Sequence, residues 1–168
     1  MAVRNVNTSN RGKWLEDAIT ACNRMYSLKG VAQIDKIATP MKPKSRSGQV
    51  IGAKYTEKST VDFVGTLKGG RSIAFDTKQC KAPRMPLTNI KQHQIDYLTK
   101  VHELGGEAFL LILFTTENEL YKLDISQLNV LGKELTRQSI PLQWFRDNLE
   151  PIRSGNGVIY DYLEGLVD

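Results

Sequence analysis

From Ser59 to Lys78 the apolar residues settle into a period of two, interrupted once by Lys68-Gly69-Gly70, and no other stretch constrains the fold so narrowly. Val61, Phe63 and Leu67 alternate with Thr60, Asp62 and Val64; beyond the glycines, Ile73 and Phe75 alternate with Ala74, Asp76 and Lys78. Period two is the signature of strands, and two such runs around a glycine turn predict a β-hairpin. If the turn is an odd-numbered loop centred on Gly69, opposed positions sum to 138 and Asp62 faces Asp76. Cross-strand neighbours of that kind have Cβ atoms roughly 5 Å apart, so two carboxylates there repel unless something neutralises them. A divalent cation does so, and Lys78, two residues beyond Asp76, projects from the same face. A two-residue Gly69-Gly70 turn instead pairs Asp62 with Thr77 and sends Asp76 to the opposite face, so the metal site depends on the register.

The remaining periodicities frame this hairpin. Leu15, Ala18, Ile19, Cys22 and Tyr26 recur at helical spacing after the cap candidates Asn7 to Asn10, which predicts a helix from Arg11 to Leu28 stopped by Gly30. Val31 to Ile37 reads as a short strand. A polar loop with Pro83 and Pro86 leads to a second helix over Asn89 to Glu103, with Ile90, Ile95, Leu98 and Val101 inward and Gly105-Gly106 at its end. Glu107 to Phe114 reads as a buried strand and Leu120 to Asp124 as its hairpin partner. A helical turn near Ser126 to Leu131 and an amphipathic piece around Trp144 and Phe145 follow, with a tail of little pattern. No repeat or linker divides the chain, so residues 1–168 read as one α/β domain.

Charge separates the binding face from the rest. Eighteen basic and nine acidic residues precede Thr115, whereas five basic and nine acidic follow, and the whole chain carries +5. Residues 36–58 hold Lys36, Lys42, Lys44, Arg46, Lys54 and Lys58 against Glu57 alone, so this segment accounts for the entire excess. With Pro40, Pro43, Gly48 and Gly52 and no helical period, it reads as an extended basic arm inserted between strands, suited to a polyanion. The two cysteines, Cys22 and Cys80, have no companion at metal-binding spacing, the N-terminus has no apolar core of a signal peptide, and the longest apolar run is seven residues. The expectation is a cytoplasmic protein with no membrane partner.

Asp62 followed by Asp76-Thr77-Lys78 resembles the signature of restriction-endonuclease-like nucleases, an Asp on one strand and (Asp/Glu)-x-Lys on the next. With Asn10-Arg11-Gly12 before the first helix, Leu15-Glu16 within it, and Pro86-Leu87 ahead of His93-Gln94-Ile95, the chain is similar to the RecU-type Holliday junction resolvases over residues 10–124. Val61 stands where the general signature has Pro, and Asp76 where the RecU-type pattern has Glu, one methylene longer. The resemblance implies a central mixed β-sheet flanked by helices with residues 36–58 as a protruding stalk, and an Mg²⁺-dependent endonuclease, Mn²⁺ substituting, that nicks four-way DNA junctions as a homodimer. It further implies that Asp62, Asp76 and the Thr77 carbonyl hold the metal, that Lys78 and Glu16 complete the catalytic set with Gln94 in support, and that Arg11 and the six arm cations contact DNA. Two alternatives stay open: the same fold acting on another branched or duplex DNA, and a DNA-binding recombination regulator without catalysis. A recombinase or branch-migration helicase partner is left open as well.

Overall fold

The computed structural model describes residues 12–38, 41–55, 60–134 and 138–167. Helix α1 (Lys13–Leu28) buries Leu15, Ile19, Cys22 and Tyr26 along one stripe. It stops before Gly30, whose φ of 65° lies in the left-handed region that a side chain disfavours. Strand β1 (Ala32–Lys36) follows, then β2 (Met41–Arg46) and β3 (Gln49–Tyr55), β4 (Phe63–Leu67) and β5 (Ser72–Cys80). Next come a short β6 (Arg84–Pro86), a 3₁₀ turn over Leu87–Asn89, α2 (Gln92–Glu103), β7 (Glu107–Phe114) and β8 (Glu119–Asp124). The chain ends with α3 (Ile125–Glu134), β9 (Ser139–Pro141), α4 (Leu142–Asn148) and an irregular tail.

Five strands form the central sheet in the order β1-β4-β5-β7-β8, with β5 and β7 parallel and every other pair antiparallel. The parallel step is the one bridged by α2, as a crossover of that length requires. Both faces are covered. Phe63, Ile73, Phe75, Phe109 and Leu111 point to α1 and the tail residues Val158, Tyr162 and Leu163. Ala74, Ala108, Leu110 and Ile112 point to Leu98 of α2, Leu128 of α3 and Phe145 of α4. That double burial is why Glu107–Phe114 is apolar at nearly every position instead of alternating. On the α1 face Phe63, Phe75 and Phe109 stack across three adjacent strands, with successive centroids 4.9 Å apart. Gly65 sits where β1 and β4 approach most closely, and a Cβ there would lie 2.1 Å from the Gln33 carbonyl oxygen.

The β4–β5 register pairs Phe63 with Phe75, Val64 with Ala74 and Gly65 with Ile73, so paired positions sum to 138 and the odd-numbered turn centred on Gly69 is the one formed. Four expectations change. Residues 36–58 are not an irregular arm throughout, because Lys36 closes β1 and residues 41–55 form a two-stranded hairpin. Its turn places Ser47 and Gly48 at φ 51° and 80°. The hydrophobic period failed to reveal these strands because the side chains from Lys44 to Gly52, the described part of the hairpin, are all exposed and bury no apolar face. Val61 does not share a face with Phe63; it precedes β4 and packs in the α2-side core. Pro83 and Pro86 lie in or beside a small sheet of β6 and β9, and α3 is longer than one turn. Among the described residues no helix is long and apolar enough to cross a membrane.

Candidate active site

In the antiparallel β4–β5 ladder, Leu67 N–H donates to the Arg71 carbonyl, so odd-numbered residues of β5 turn their backbone groups toward β4. Phe75 meets the last residue of β4, which leaves the Thr77 N–H as the next donor on that edge. The Asp62 carboxylate takes the place of a strand: its Oδ2 accepts from Thr77 N at 2.8 Å and from Thr77 Oγ1 at 2.7 Å. A carboxylate thus ends the ladder, and the same alternation turns the Thr77 carbonyl toward that edge.

Asp76, one residue earlier, points to the α2 face and has no solvent exposure at all. Its Oδ1 accepts a hydrogen bond from Gln94 Nε2 at 3.0 Å, while Lys78 Nζ forms an ion pair with Oδ2. Oδ2 nevertheless receives no directed hydrogen bond. The ammonium thus meets the charge of that oxygen as an ion pair. Gln94 acts as a bracket: its Oε1 accepts from Lys78 Nζ at 3.3 Å and from the Lys91 backbone N–H at 3.1 Å. The acid, the lysine and the first turn of α2 are joined through one amide.

Burial pushes the Asp76 carboxyl up to about 7, the neighbouring Asp62 charge adds to the rise, and Lys78 opposes it. Desolvation leads because a carboxylate loses its hydration at a site covered by α2. An oxygen-only set of two acids and a backbone carbonyl, with one buried carboxylate oxygen lacking a directed donor, fits a hard divalent cation that keeps several of its own waters. Among the described residues there is no group of three or more His, Cys, Asp or Glu placed to hold a metal ion of any kind.

Glu16 reaches this edge from α1 but does not touch either aspartate. Its Oε2 pairs with Lys36 Nζ at 2.5 Å, and that hydrogen bond holds the lysine above its ordinary value, with Asp62 adding to the effect. Lys36, grouped by sequence with the arm, therefore stands between Glu16 and Asp62 at the rim of the site. Gln79 Nε2 donates to the Gly12 carbonyl at 3.1 Å, fastening the start of α1 to the end of β5. Sequence reasoning passed over Gln79; the only available signal was its position one residue after Lys78 on a strand. Lys44 and Arg46 are exposed on the hairpin, and Lys42 and Lys54 belong to its strands. Arg11 and Lys58 lie outside the described residues.

A profile of the family described as RecU, Recombination protein U, matches residues 10–168. The chain is similar to the Holliday junction resolvase RecU of Oceanobacillus iheyensis, 35% identical over an alignment 168 positions long that covers 94% of this chain and 85% of that one. It is also 34% identical to the Mycoplasmopsis pulmonis protein of the same description, over 92% of both chains. Among solved structures it resembles Archaeoglobus fulgidus Hjc, a Holliday junction resolvase, with a TM-score of 0.50, 14% identity and coverage of 84% of this chain and 92% of that chain. That likeness concerns the fold, a mixed sheet flanked by helices of the restriction-endonuclease-like kind.

Proposed function

The chain belongs to the RecU family, and from that premise we propose that it is an endonuclease that resolves four-way DNA junctions by paired nicks. The observation that carries the reading is the joined set Asp62, Asp76, Lys78 and Gln94, with a fully buried carboxylate whose Oδ2 lacks a directed donor. Asp62, Asp76 and the Thr77 carbonyl are the groups that would hold a divalent cation, Mg²⁺ with Mn²⁺ as substitute. When bound, that ion lowers the pKa of water and offsets phosphate charge.

The remaining work falls to the protein's own groups. Lys78, kept half in place by Asp76 and half by Gln94, orients the attacking water and places a positive charge beside the scissile phosphate, where negative charge grows in the transition state. Gln94 ties the paired lysine and acid to the first turn of α2, because its amide bonds both. Glu16 and Lys36 form the outer rim and hold α1 and β1 together at the mouth. The exposed cations of the hairpin, Lys44 and Arg46 among them, meet phosphates at the junction, with Lys42, Lys54, Lys58 and Arg11 adding to this field. A four-way junction has approximate two-fold symmetry, so two copies of this single nuclease domain, each with one site and one basic hairpin, match it.

The test is cleavage of an immobile four-way junction beside a flap and a linear duplex, with Mg²⁺. Paired nicks across the junction, lost in Asp76→Asn while binding persists, are the expected result, because phosphate contacts supply most of the affinity. Preferential cutting of the flap or duplex assigns a different substrate. Binding without any cutting by the native protein refutes the enzymatic reading.

A further inference from the structure

The tail that covers the α1 face of the sheet is fastened at one buried carboxylate. Asp161 is 6% exposed; its Oδ1 accepts from the Tyr26 hydroxyl of α1 at 2.8 Å, and its Oδ2 accepts from Asn156 Nδ2 at 2.6 Å. Lys29 Nζ, from just beyond the end of α1, donates to the Asn156 carbonyl oxygen. Beside this clasp Val158, Tyr162 and Leu163 pack against the sheet, with the Tyr162 ring 5.1 Å from that of Phe75. A carboxylate with so little access to water depends on directed donors, and Asn156 supplies one of them.

That donor sits in a turn with a chemical weakness. Gly155 and Val158 exchange backbone hydrogen bonds of 3.1 and 2.8 Å around Asn156 and Gly157, whose φ values of 46° and 76° are the positive pair that a type I′ turn requires. Asparagine followed by glycine suits such a turn, and Asn156 is the only asparagine in the chain with glycine after it. The same pair is the one in which the following backbone nitrogen meets least hindrance on approaching the side-chain amide carbon. Both residues are exposed to water, and among the described residues the Gly157 N–H has no acceptor. The clasp restrains the reaction. Asp161 holds the Asn156 side-chain amide and Lys29 holds its main-chain carbonyl, so both torsions that must turn to bring Cγ to the Gly157 nitrogen are fixed while it is closed.

We propose that Asn156-Gly157 is a site of spontaneous covalent modification whose rate is set by opening of the clasp and which, once modified, keeps the clasp from closing. In the open form the Gly157 nitrogen attacks Cγ of Asn156. The N–Cγ bond forms, the Cγ–Nδ2 bond breaks, and the amide leaves as ammonia with the proton given up by the Gly157 nitrogen. One water then opens the cyclic imide. Opening at Cγ leaves an aspartate, and opening at the main-chain carbonyl leaves an isoaspartate, which adds a methylene to the backbone of the turn. No oxidant or second enzyme is required. Either product puts a carboxylate where Asp161 had a donor, so two like charges meet at a buried position and the tail loses its fastening to α1.

Trypsin releases residues 154–168 as one peptide after Arg153, with Asn156 its only asparagine, so mass spectrometry of aged full-length protein reads the conversion directly. At mildly alkaline pH the folded chain should convert at least about tenfold more slowly than the urea-unfolded chain, because the rate follows the population of the open form. Tyr26→Phe removes the hydroxyl donor to Asp161 and should speed conversion in the folded protein about fivefold or more. Ile125→Val, a loss of similar size in the core on the opposite face of the sheet, should leave the rate within about twofold of native. Asn156→Asp makes one product without the reaction and should lower the urea midpoint, as should the modified fraction isolated from aged native protein. The proposal is overturned if the folded chain stays unmodified while the unfolded chain converts, or if the two convert at the same rate. Equal acceleration by Ile125→Val and Tyr26→Phe overturns it too, since the reaction then runs through global unfolding, and so does an Asn156→Asp protein as stable as the native one. None of these measurements involves DNA, so they stand or fall apart from the nuclease reading.

Discussion

Asp76 couples stability to pH in a way that identifies the site without any turnover. Its carboxyl rises to about 7 in the folded chain from an ordinary 3.8, because burial disfavours the charge and Asp62 repels it. A carboxyl raised by folding keeps its proton longer in the native state than in the unfolded one, so stability is highest at low pH and falls as pH climbs from about 4 to 7. Between pH 5 and pH 8 the native protein, freed of metal with chelator, should lose about 3 kcal/mol through this group alone, at about 1.4 kcal/mol per pH unit over the two units from pH 5 to 7. Asp76→Asn has nothing to titrate at this position and should not show that loss, and groups that do not face Asp76 contribute equally to both proteins. Urea unfolding at pH 5 and pH 8 measures the difference. At pH 8, Mg²⁺ at one hundred times its dissociation constant should return about 3 kcal/mol to the native protein and nothing to the variant. A gap between the two proteins that stays constant from pH 5 to pH 8 to within about 0.5 kcal/mol would mean that Asp76 ionises normally, and the buried-carboxylate basis of the metal site would fail.

Changing Lys42, Lys44 and Arg46 together to Ala should weaken junction binding and lower the slope of log K against log salt by about 2 to 3, since each phosphate contact contributes about 0.9; an unchanged slope removes the hairpin from the interface. Gly65→Ala should cost about 1 to 3 kcal/mol or more in urea unfolding, because the added Cβ would overlap the backbone of Gln33 and Ile34 and force β1 away from β4. Gln94→Ala removes the donor to Asp76 and the acceptor for Lys78 at once, so nicking should fall about 10- to 100-fold with junction affinity intact. Equal losses in binding and cutting would assign Gln94 to DNA contact instead.

The local sequence was sufficient wherever an element's pattern is written in its own residues. The stripe Leu15, Ile19, Cys22 and Tyr26, the alternation around Gly69 and the apolar run at 107–114 each determined an element. The odd turn then placed Asp62 beside the Asp76-Thr77-Lys78 stretch. Neighbouring positions on a strand face are related by the pleat, which does not depend on the rest of the molecule. The tertiary structure alone decided what those positions experience. Asp76 is fully buried because α2, beginning sixteen residues later, lies over it and brings Gln94; Glu16 is occupied by Lys36 because β1 ends beside α1. The basic segment became a hairpin unseen in the hydrophobic pattern, since strands whose described side chains, Lys44 to Gly52, are all exposed have no apolar period to display there. Periodicity records only which face of an element is buried, whereas desolvation, charge pairing and the Asp76 proton depend on groups that the fold brings in from distant parts of the chain.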